Sequence, residues 1–283
     1  MDTVLRSRSR TVVIGPEHPF CIIGERINPT GRKAFQGQLQ AGDLSQVETD
    51  VAQQVGTADM LDVNVGDPLA DEVGLMAKAI PMMQDLTDLP ICIDSSIEAL
   101  EAGLSAYEGK ALVNSVTAED ERLEAILPLV ARHGAAVIGL ANGDTIEIEP
   151  EARLEMAKKI VSAAGDYGIP PEDVVIDPLA MPVGAEPRAV TLFLETVRLI
   201  RDELGVNMTC GASNTSFGLP GRHTLGAGFL GIAASHGLTS AIMDARAPVC
   251  VESVRGADFL LGHDEWGARW IAAHRAKQAA ASA

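Results

Sequence analysis

Positive charge is what this chain has least of. It sets 22 Lys and Arg against 39 Asp and Glu, a formal net charge of -17 over 283 residues. That balance repels phosphate backbones and anionic bilayers, so nucleic acid and a membrane surface are disfavoured as partners. A small anionic ligand held by local dipoles stays open. Cysteine is sparse too: Cys21, Cys92, Cys210 and Cys250 stand far apart, form no Cys-x-x-Cys pair and sit mostly in apolar runs. They are expected to be buried, reduced thiols, with no metal site among them. No apolar run approaches the ~20 residues of a membrane span, and the start, with Arg6, Arg8 and Arg10, lacks the apolar core of a signal peptide. A cytoplasmic location fits these absences. Also missing are a P-loop, a Gly-x-Gly-x-x-Gly after the first strand and a Ser-His-Asp order. The 6 histidines are scattered; His133 and His236 fall at predicted helix ends, where pairing with the helix dipole is expected.

What is present is aliphatic. The apolar fraction is 47% but only 4% is aromatic, the material of helices packed over strands. Short apolar runs, polar or glycine-containing loops and longer helically spaced runs alternate along the chain. Strands are predicted at 20–27, 59–65, 90–94, 111–116, 135–140, 174–179, 206–211 and 240–244. Most are continuous apolar runs, as parallel strands covered on both faces require. Helices are predicted at 44–55, 74–86, 97–107, 122–133, 151–167, 190–204 and 225–236, with 256–278 supplying the eighth and a frayed Ala-rich tail. Several stop at glycine, as at Gly134, Gly168 and Gly237. Eight such units with short connections predict one (β/α)8 TIM barrel over 1–283, with its core about 20–270, in preference to an open doubly wound sheet.

Barrel sites are built where strands end on the C-terminal face. The predicted ends carry Glu25 to Gly31, Asp62 with Asn64, Asp94-Ser95-Ser96, Asn114-Ser115, Asn142, Asp177, Ser213-Asn214 and Asp244. Helix capping accounts for Ser95 or Ser96, Thr117 and Ser45. It accounts poorly for Asp62, Asp94 and Asp177, which sit in or at the tips of apolar runs, where a carboxylate is costly to desolvate unless hydrogen bonded. A rim of carboxylates and amides suits a flat heterocycle. An ionised Asp accepts two parallel N–H bonds from an amino-pyrimidine edge, and an Asn amide matches an adjacent acceptor-donor pair. A pterin has this pattern.

The runs Gly24-Glu25-Arg26-Ile27-Asn28-Pro29-Thr30-Gly31, Leu61-Asp62-Val63-Asn64-Val65-Gly66, Ile93-Asp94-Ser95, Val113-Asn114-Ser115, Asp177-Pro178-Leu179 and Gly211-Ala212-Ser213-Asn214-Thr215-Ser216-Phe217-Gly218 resemble the pterin-binding methyltransferases. That group includes methyltetrahydrofolate:corrinoid protein methyltransferases and the folate domain of cobalamin-dependent methionine synthase. The resemblance spans about 20–247 and implies a dihydropteroate-synthase-like barrel. It further implies that Asp94, Asn114 and Asp177 hold the pterin ring, that Asp62 and Asn64 line the same cavity, and that Asn214 approaches N5, which carries the methyl group. Asn28, Ser213 and Arg222 join the substrate-binding set. The substrates it implies are methyltetrahydrofolate or tetrahydrofolate and a cobalamin whose cobalt takes or gives the methyl group. No Asp-x-His-x-x-Gly cobalamin signature is present, so the corrinoid is expected on a partner protein, with Gly218-Leu219-Pro220-Gly221 and Arg222 as a docking or lid element. The family also implies a homodimer. Dihydropteroate synthase is the near relative: it carries a basic Ser-Arg segment after strand seven and an Asp-Ser-Phe-Ser-type first loop. This chain has Ser213-Asn214-Thr215-Ser216 and Asn28-Pro29-Thr30-Gly31-Arg32 there, although Arg32 and Lys33 leave room for an anion. No homocysteine-binding zinc module is found, which sets the chain apart from a whole methionine synthase.

Overall fold

The computed structural model describes residues 1–281; the end of the Ala-Ser tail, 282–283, lies outside the described residues. A hairpin of β1 (Thr3–Arg6) and β2 (Thr11–Ile14) comes first. Then β3 (Cys21–Ile27), β4 (Met60–Val63), β5 (Ile91–Asp94), β6 (Leu112–Thr117), β7 (Ala136–Leu140), β8 (Val174–Asp177) and β9 (Ser240–Met243) form one parallel sheet in the order β8-β7-β6-β5-β4-β3-β9. The expected seventh strand, 206–211, fills the remaining gap. It bridges β8 at Ile176 and Met208 and β9 at Gly211 and Ile242. Backbone bonds to both neighbours, Thr209 N to Ile176 O at 2.9 Å and Ile242 N to Cys210 O at 2.9 Å, close the barrel. This segment makes isolated bridges and no longer ladder because at Gly211 the chain already turns into the 3-10 turn Ala212–Asn214.

The outer ring is α2 (Ser45–Ala52), α3 (Glu72–Leu86), α4 (Ile97–Ala106), α5 (Asp120–His133), α6 (Pro150–Asp166), α7 (Ala189–Glu203), α8 (Arg222–His236) and α9 (Pro248–Leu261), with a small α1 (Lys33–Gln40) in the first loop. Gly134, Gly168 and Gly237 stop their helices with φ of 59°, 77° and 112°, the left-handed turn that glycine takes freely. The reading of 256–278 as the eighth helix is corrected. Pro248, suited to a first helical turn, starts α9 earlier, Gly262 (φ 89°) ends it, and the alanine-rich stretch is a separate helix, α10 (Ala268–Ala281). Of the expected caps, Ser96 stands at the N-cap of α4 but its side chain makes no capping bond, and Ser45 and Thr117 do not cap. Glu72 accepts from the Ser95 hydroxyl and the Ser96 N–H, Asp43 accepts from the Ser45 N–H, and buried Thr117 Oγ1 makes no hydrogen bond. All four cysteines are free and buried. Among the described residues no helix is long and apolar enough to cross a membrane.

The hairpin was not foreseen, although its period-two alternation is visible once Thr3 and Leu5, and Val12 and Ile14, are seen to face one way. It plugs the N-terminal end of the barrel. Leu5, Val12 and Ile14 pack with the inward residues Cys21, Ile23, Met60, Cys92, Leu112, Ala136, Ile138 and Val175. Burying a large aliphatic side chain contributes about 1.5–3 kcal/mol. Asn207, at the foot of the seventh strand, ties the plug down: its Nδ2 donates to Ile14 O at 2.7 Å and Thr3 Oγ1 at 2.9 Å. Asn207→Leu leaves those acceptors buried without a donor and is expected to lower stability by about 1–3 kcal/mol. Urea unfolding with an unchanged m-value checks it.

Candidate active site

Strand alternation delivers the polar residues to one place. Going up four strands of the barrel, β4, β5, β6 and β8, Met60 is followed two residues later by Asp62, Cys92 by Asp94, Leu112 by Asn114 and Val175 by Asp177. The first of each pair fills the barrel interior with the hairpin. The second lines a cavity of about 620 Å³ at the C-terminal ends of the strands. Side chains two apart on a strand face the same side, so this placement follows from sequence spacing.

Two register shifts widen the set. In β3, Gly24 pairs with Leu61 but Ile27 with Val63, one residue too many, and both Glu25 and Arg26 line the cavity. In β6, Asn114 pairs with Ile138 and Val116 with Gly139, and both Asn114 and Ser115 line it. Such bulges re-aim side chains next to sites. The first is held by buried Gln54, whose Oε1 accepts the Arg26 N–H at 3.1 Å. A Cβ on Gly24 would fall on that amide oxygen, which is why glycine stands there.

Asn28, Asn214 and Arg222 complete the expected residues on the cavity wall. Asn214 ends the 3-10 turn after the seventh strand, and its amide folds back over Gly211, 3.0 Å from where a Cβ would be. Two expected residues stand behind the wall instead. Asn64 follows the end of β4 and its amide is spent locally, Nδ2 donating to Asp94 Oδ2 at 3.1 Å and Oδ1 accepting from Gly66 N at 2.8 Å. The Ser213 hydroxyl donates to Glu25 Oε1 at 2.7 Å. Both position a neighbour that does line the cavity. Sequence reasoning puts Glu25 and Arg26 at the rim without a role, and misses Arg246 on the wall and Arg153 behind it. Arg153 shares the buried face of α6 with Leu154, Ala157 and Ile160, a spacing that could have marked it. Its guanidinium donates to Pro178 O and Leu179 O, both at 3.1 Å, fixing the loop after Asp177 in which Leu179 takes φ 66°.

The floor is acidic and poorly solvated. Burial, then the neighbouring Asp94 charge, pushes Asp62 well above the carboxylate range, against hydrogen bonds from Asn114 and Cys92. Burial also raises Asp94, against the bond from Asn64. Asp177 is pushed up to about 6 by burial, opposed by N–H bonds from Leu179 and Gly211. Glu25 is raised by burial and then by Asp244, while the Ser213 hydroxyl works the other way. Asp244 is the exception. Burial would raise it, but Arg246 grips both of its oxygens at 2.9 Å and holds it below the usual range. Carboxylates this far out of water want N–H donors from a ligand, and the cavity presents several of them together.

A family model described as pterin binding enzyme matches residues 24–244. Methylcorrinoid:tetrahydrofolate methyltransferase of Eubacterium limosum is 28% identical over 262 residues, 90% of this chain and 96% of that protein. Methionine synthase of Mycobacterium tuberculosis is 33% identical over 245 residues, 79% of this chain but 20% of that larger protein. Among solved structures, dihydropteroate synthase of Xanthomonas albilineans with 4-aminobenzoic acid superposes with a TM-score of 0.69 at 20% identity, covering 92% of this chain and 98% of that one. At that identity it speaks for the fold alone.

The raised floor carboxylates have a consequence for stability. A carboxyl with its folded pKa above its unfolded one holds its proton longer when folded, so stability falls as pH rises from about 4 through the raised value. Asp62→Asn removes this burden. The variant is expected to match the parent at pH ~4 and to exceed it at pH ~8 by at least about 1.4 kcal/mol, one pKa unit's worth. Urea unfolding at the two pH values measures the difference; an equal gain at both would refute the assignment.

Proposed function

The chain belongs to the pterin-binding enzyme family, and from that premise we propose that it is a methyltransferase moving the N5 methyl group between methyltetrahydrofolate and the cobalt of a corrinoid carried on a partner protein. The observation that carries this reading is the convergence of Asp94, Asn114 and Asp177 on one cavity whose buried carboxylates await N–H donors. In this reading the three hold the amino-pyrimidine edge and Asp62 completes the floor, with Asn64 and Ser213 positioning Asp94 and Glu25. Asn28 and Arg222 contact the substrate nearer the mouth. Support also comes from the names of the two curated relatives, one a methylcorrinoid:tetrahydrofolate methyltransferase and one a methionine synthase.

Breaking the N5–methyl bond expels a poor leaving group, so N5 must gain a proton or a strong hydrogen bond as the bond breaks. Asn214 is no acid at neutral pH. Its amide can stabilise the protonated amine and orient a water that bears the proton. The corrinoid enters as a second substrate from the open side of the cavity, and the loop Gly218-Leu219-Pro220-Gly221, preceded by exposed Phe217, is its docking element. A homodimer in the cytoplasm belongs to the same reading, with exposed Leu225 and Ile232 of α8 and Val249 and Leu260 of α9 as the apolar surface for it. Direction is a second question. The name of the Eubacterium limosum relative has the methylcorrinoid as donor, and one site serves both directions. Dihydropteroate synthase chemistry is disfavoured by Ser213-Asn214 after the seventh strand, where no basic segment follows.

Anaerobic mixing of the protein with methyltetrahydrofolate and cob(I)alamin, followed by the cobalt(I) absorbance, tests the reading; methylcobalamin with tetrahydrofolate tests the reverse. Protein-dependent methyl transfer is expected in at least one direction, and pterin binding without transfer, even with a corrinoid protein, would overturn it. Asp177→Ala is expected to weaken folate binding about 10- to 100-fold, since it removes a contact made in the ground state. Asn214→Ala is expected to lower turnover at saturating folate about 100-fold, and unchanged turnover would remove its role.

A further inference from the structure

The proposed reaction needs a proton at N5, and none of the residues assigned to the pterin is free to supply it. Asp62 and Asp94 take Asn114 and Asn64 and face the ring. Asp177 accepts the Leu179 N–H at 2.7 Å and serves the same edge. Asp244 is clamped by Arg246 in its ionised form. One carboxyl on the cavity wall remains. Glu25, re-aimed by the β3 bulge, has Oε1 bonded to the hydroxyl of Ser213, the residue next to Asn214, and among the described residues no protein group bonds its other oxygen.

Resting on the reading above, we infer that Glu25 is the general acid of this site: its carboxyl, directly or through one water, delivers the proton to N5 when the methyl group leaves and takes it back in the reverse reaction. The balance is simple. The N5–carbon bond breaks with its electron pair left on N5, cobalt(I) supplies the pair for the cobalt–carbon bond and becomes cobalt(III), and the proton from Glu25 ends on N5 as N5–H. The Glu25 carboxylate is reprotonated by solvent through the open mouth. The groups around it suit the task. Burial and the charge of Asp244 favour the protonated form, while the Ser213 hydroxyl, Arg222 and Arg246 favour the carboxylate, and Asp62 is its acidic neighbour across the floor. A buried carboxyl held above its ordinary range, with a hydroxyl on one oxygen and the other oxygen open to the cavity, is placed to give up a proton and take it back.

Glu25→Gln keeps the size and an acceptor for Ser213 but has no proton to give. Single-turnover methyl transfer from methyltetrahydrofolate to cob(I)alamin would be followed between about pH 5 and about pH 9, with folate binding measured separately. The parent enzyme is expected to slow as pH rises through the Glu25 titration. The Gln variant should lose about 100- to 10,000-fold in rate, bind methyltetrahydrofolate within about threefold of the parent, and show no such limb. Ser213→Ala offers a second handle. Removing the donor that favours the carboxylate should move the limb to higher pH, a shift that a merely structural role would not produce. A Gln variant that keeps the parent's rate and limb, or that fails because it no longer binds folate, together with an unmoved limb in Ser213→Ala, overturns the proposal. A parent enzyme that binds folate but transfers no methyl group in either direction refutes the methyltransferase reading itself.

Discussion

Everything at the site rests on barrel closure combined with strand alternation. A closed ring of parallel strands divides each strand into residues that face the barrel interior and residues that face the helices, and the two sets cannot exchange without a register slip. The interior is a short column. Its lower half is filled by aliphatic and sulfur side chains and plugged by the hairpin. Its upper half, two residues further along, begins with Asp62, Asp94, Asn114 and Asp177. Because the column below is dry and close-packed, these groups have solvent and partners only from above and from the sides. Their burial follows from the architecture, and the raised carboxylates follow from the burial.

This arrangement works against stability and for binding. An apolar floor would be the more stable choice at neutral pH, since burial disfavours the ionised form of both Asp62 and Asp94 and the Asp94 charge disfavours that of Asp62 further. A ligand carrying N–H donors offsets that penalty when it binds, and water does so poorly in so enclosed a place. The supporting residues reduce motion and leave the acidity in place. Asn64 and Asn114 each give one N–H to a floor carboxylate, and Arg153 spends its guanidinium on loop carbonyls. The floor is therefore held in shape with unsatisfied capacity, as preorganised binding requires.

The ring of strands and helices was legible because each strand is an apolar run of the right length and each helix repeats at three and four. The carboxylates were legible as anomalies in those runs. What escaped has particular causes. The hairpin lies in an arginine-rich start, where Arg6, Arg8 and Arg10 mask the alternation of two strands of only four residues each. Glu25 and Arg26 have no legible role in the sequence because a bulge is not written in a run of seven residues, and only the pairing with β4 shows that both reach the cavity. The resemblance implies Asn64 beside Asp62 in the cavity, yet β4 ends at Val63, and beyond the strand end a two-residue spacing no longer fixes the side. Arg153 shows the converse limit, a charged residue whose partners are carbonyls 25 and 26 residues away.

The scarcity of positive charge returns at the mouth of the cavity. A chain of net charge -17 repels an anion at long range, but beyond about 8 Å that repulsion is screened at physiological salt, and local groups decide. Those groups are four arginines on the cavity wall, Arg26, Arg32, Arg222 and Arg246, facing the acidic floor. They do not collapse onto Asp62, Asp94 and Asp177 because three of them are spent on other groups. Arg32 forks onto buried Asp50 at 2.6 and 3.1 Å, Arg246 onto Asp244, and Arg222 reaches Ser213 O at 3.1 Å. Arg26 alone is left 3.6 Å from Asp50 with its Nε unbonded, a guanidinium with capacity to spare. A ligand with an N–H-rich head and an anionic tail would therefore find carboxylate acceptors and guanidinium donors within one cavity.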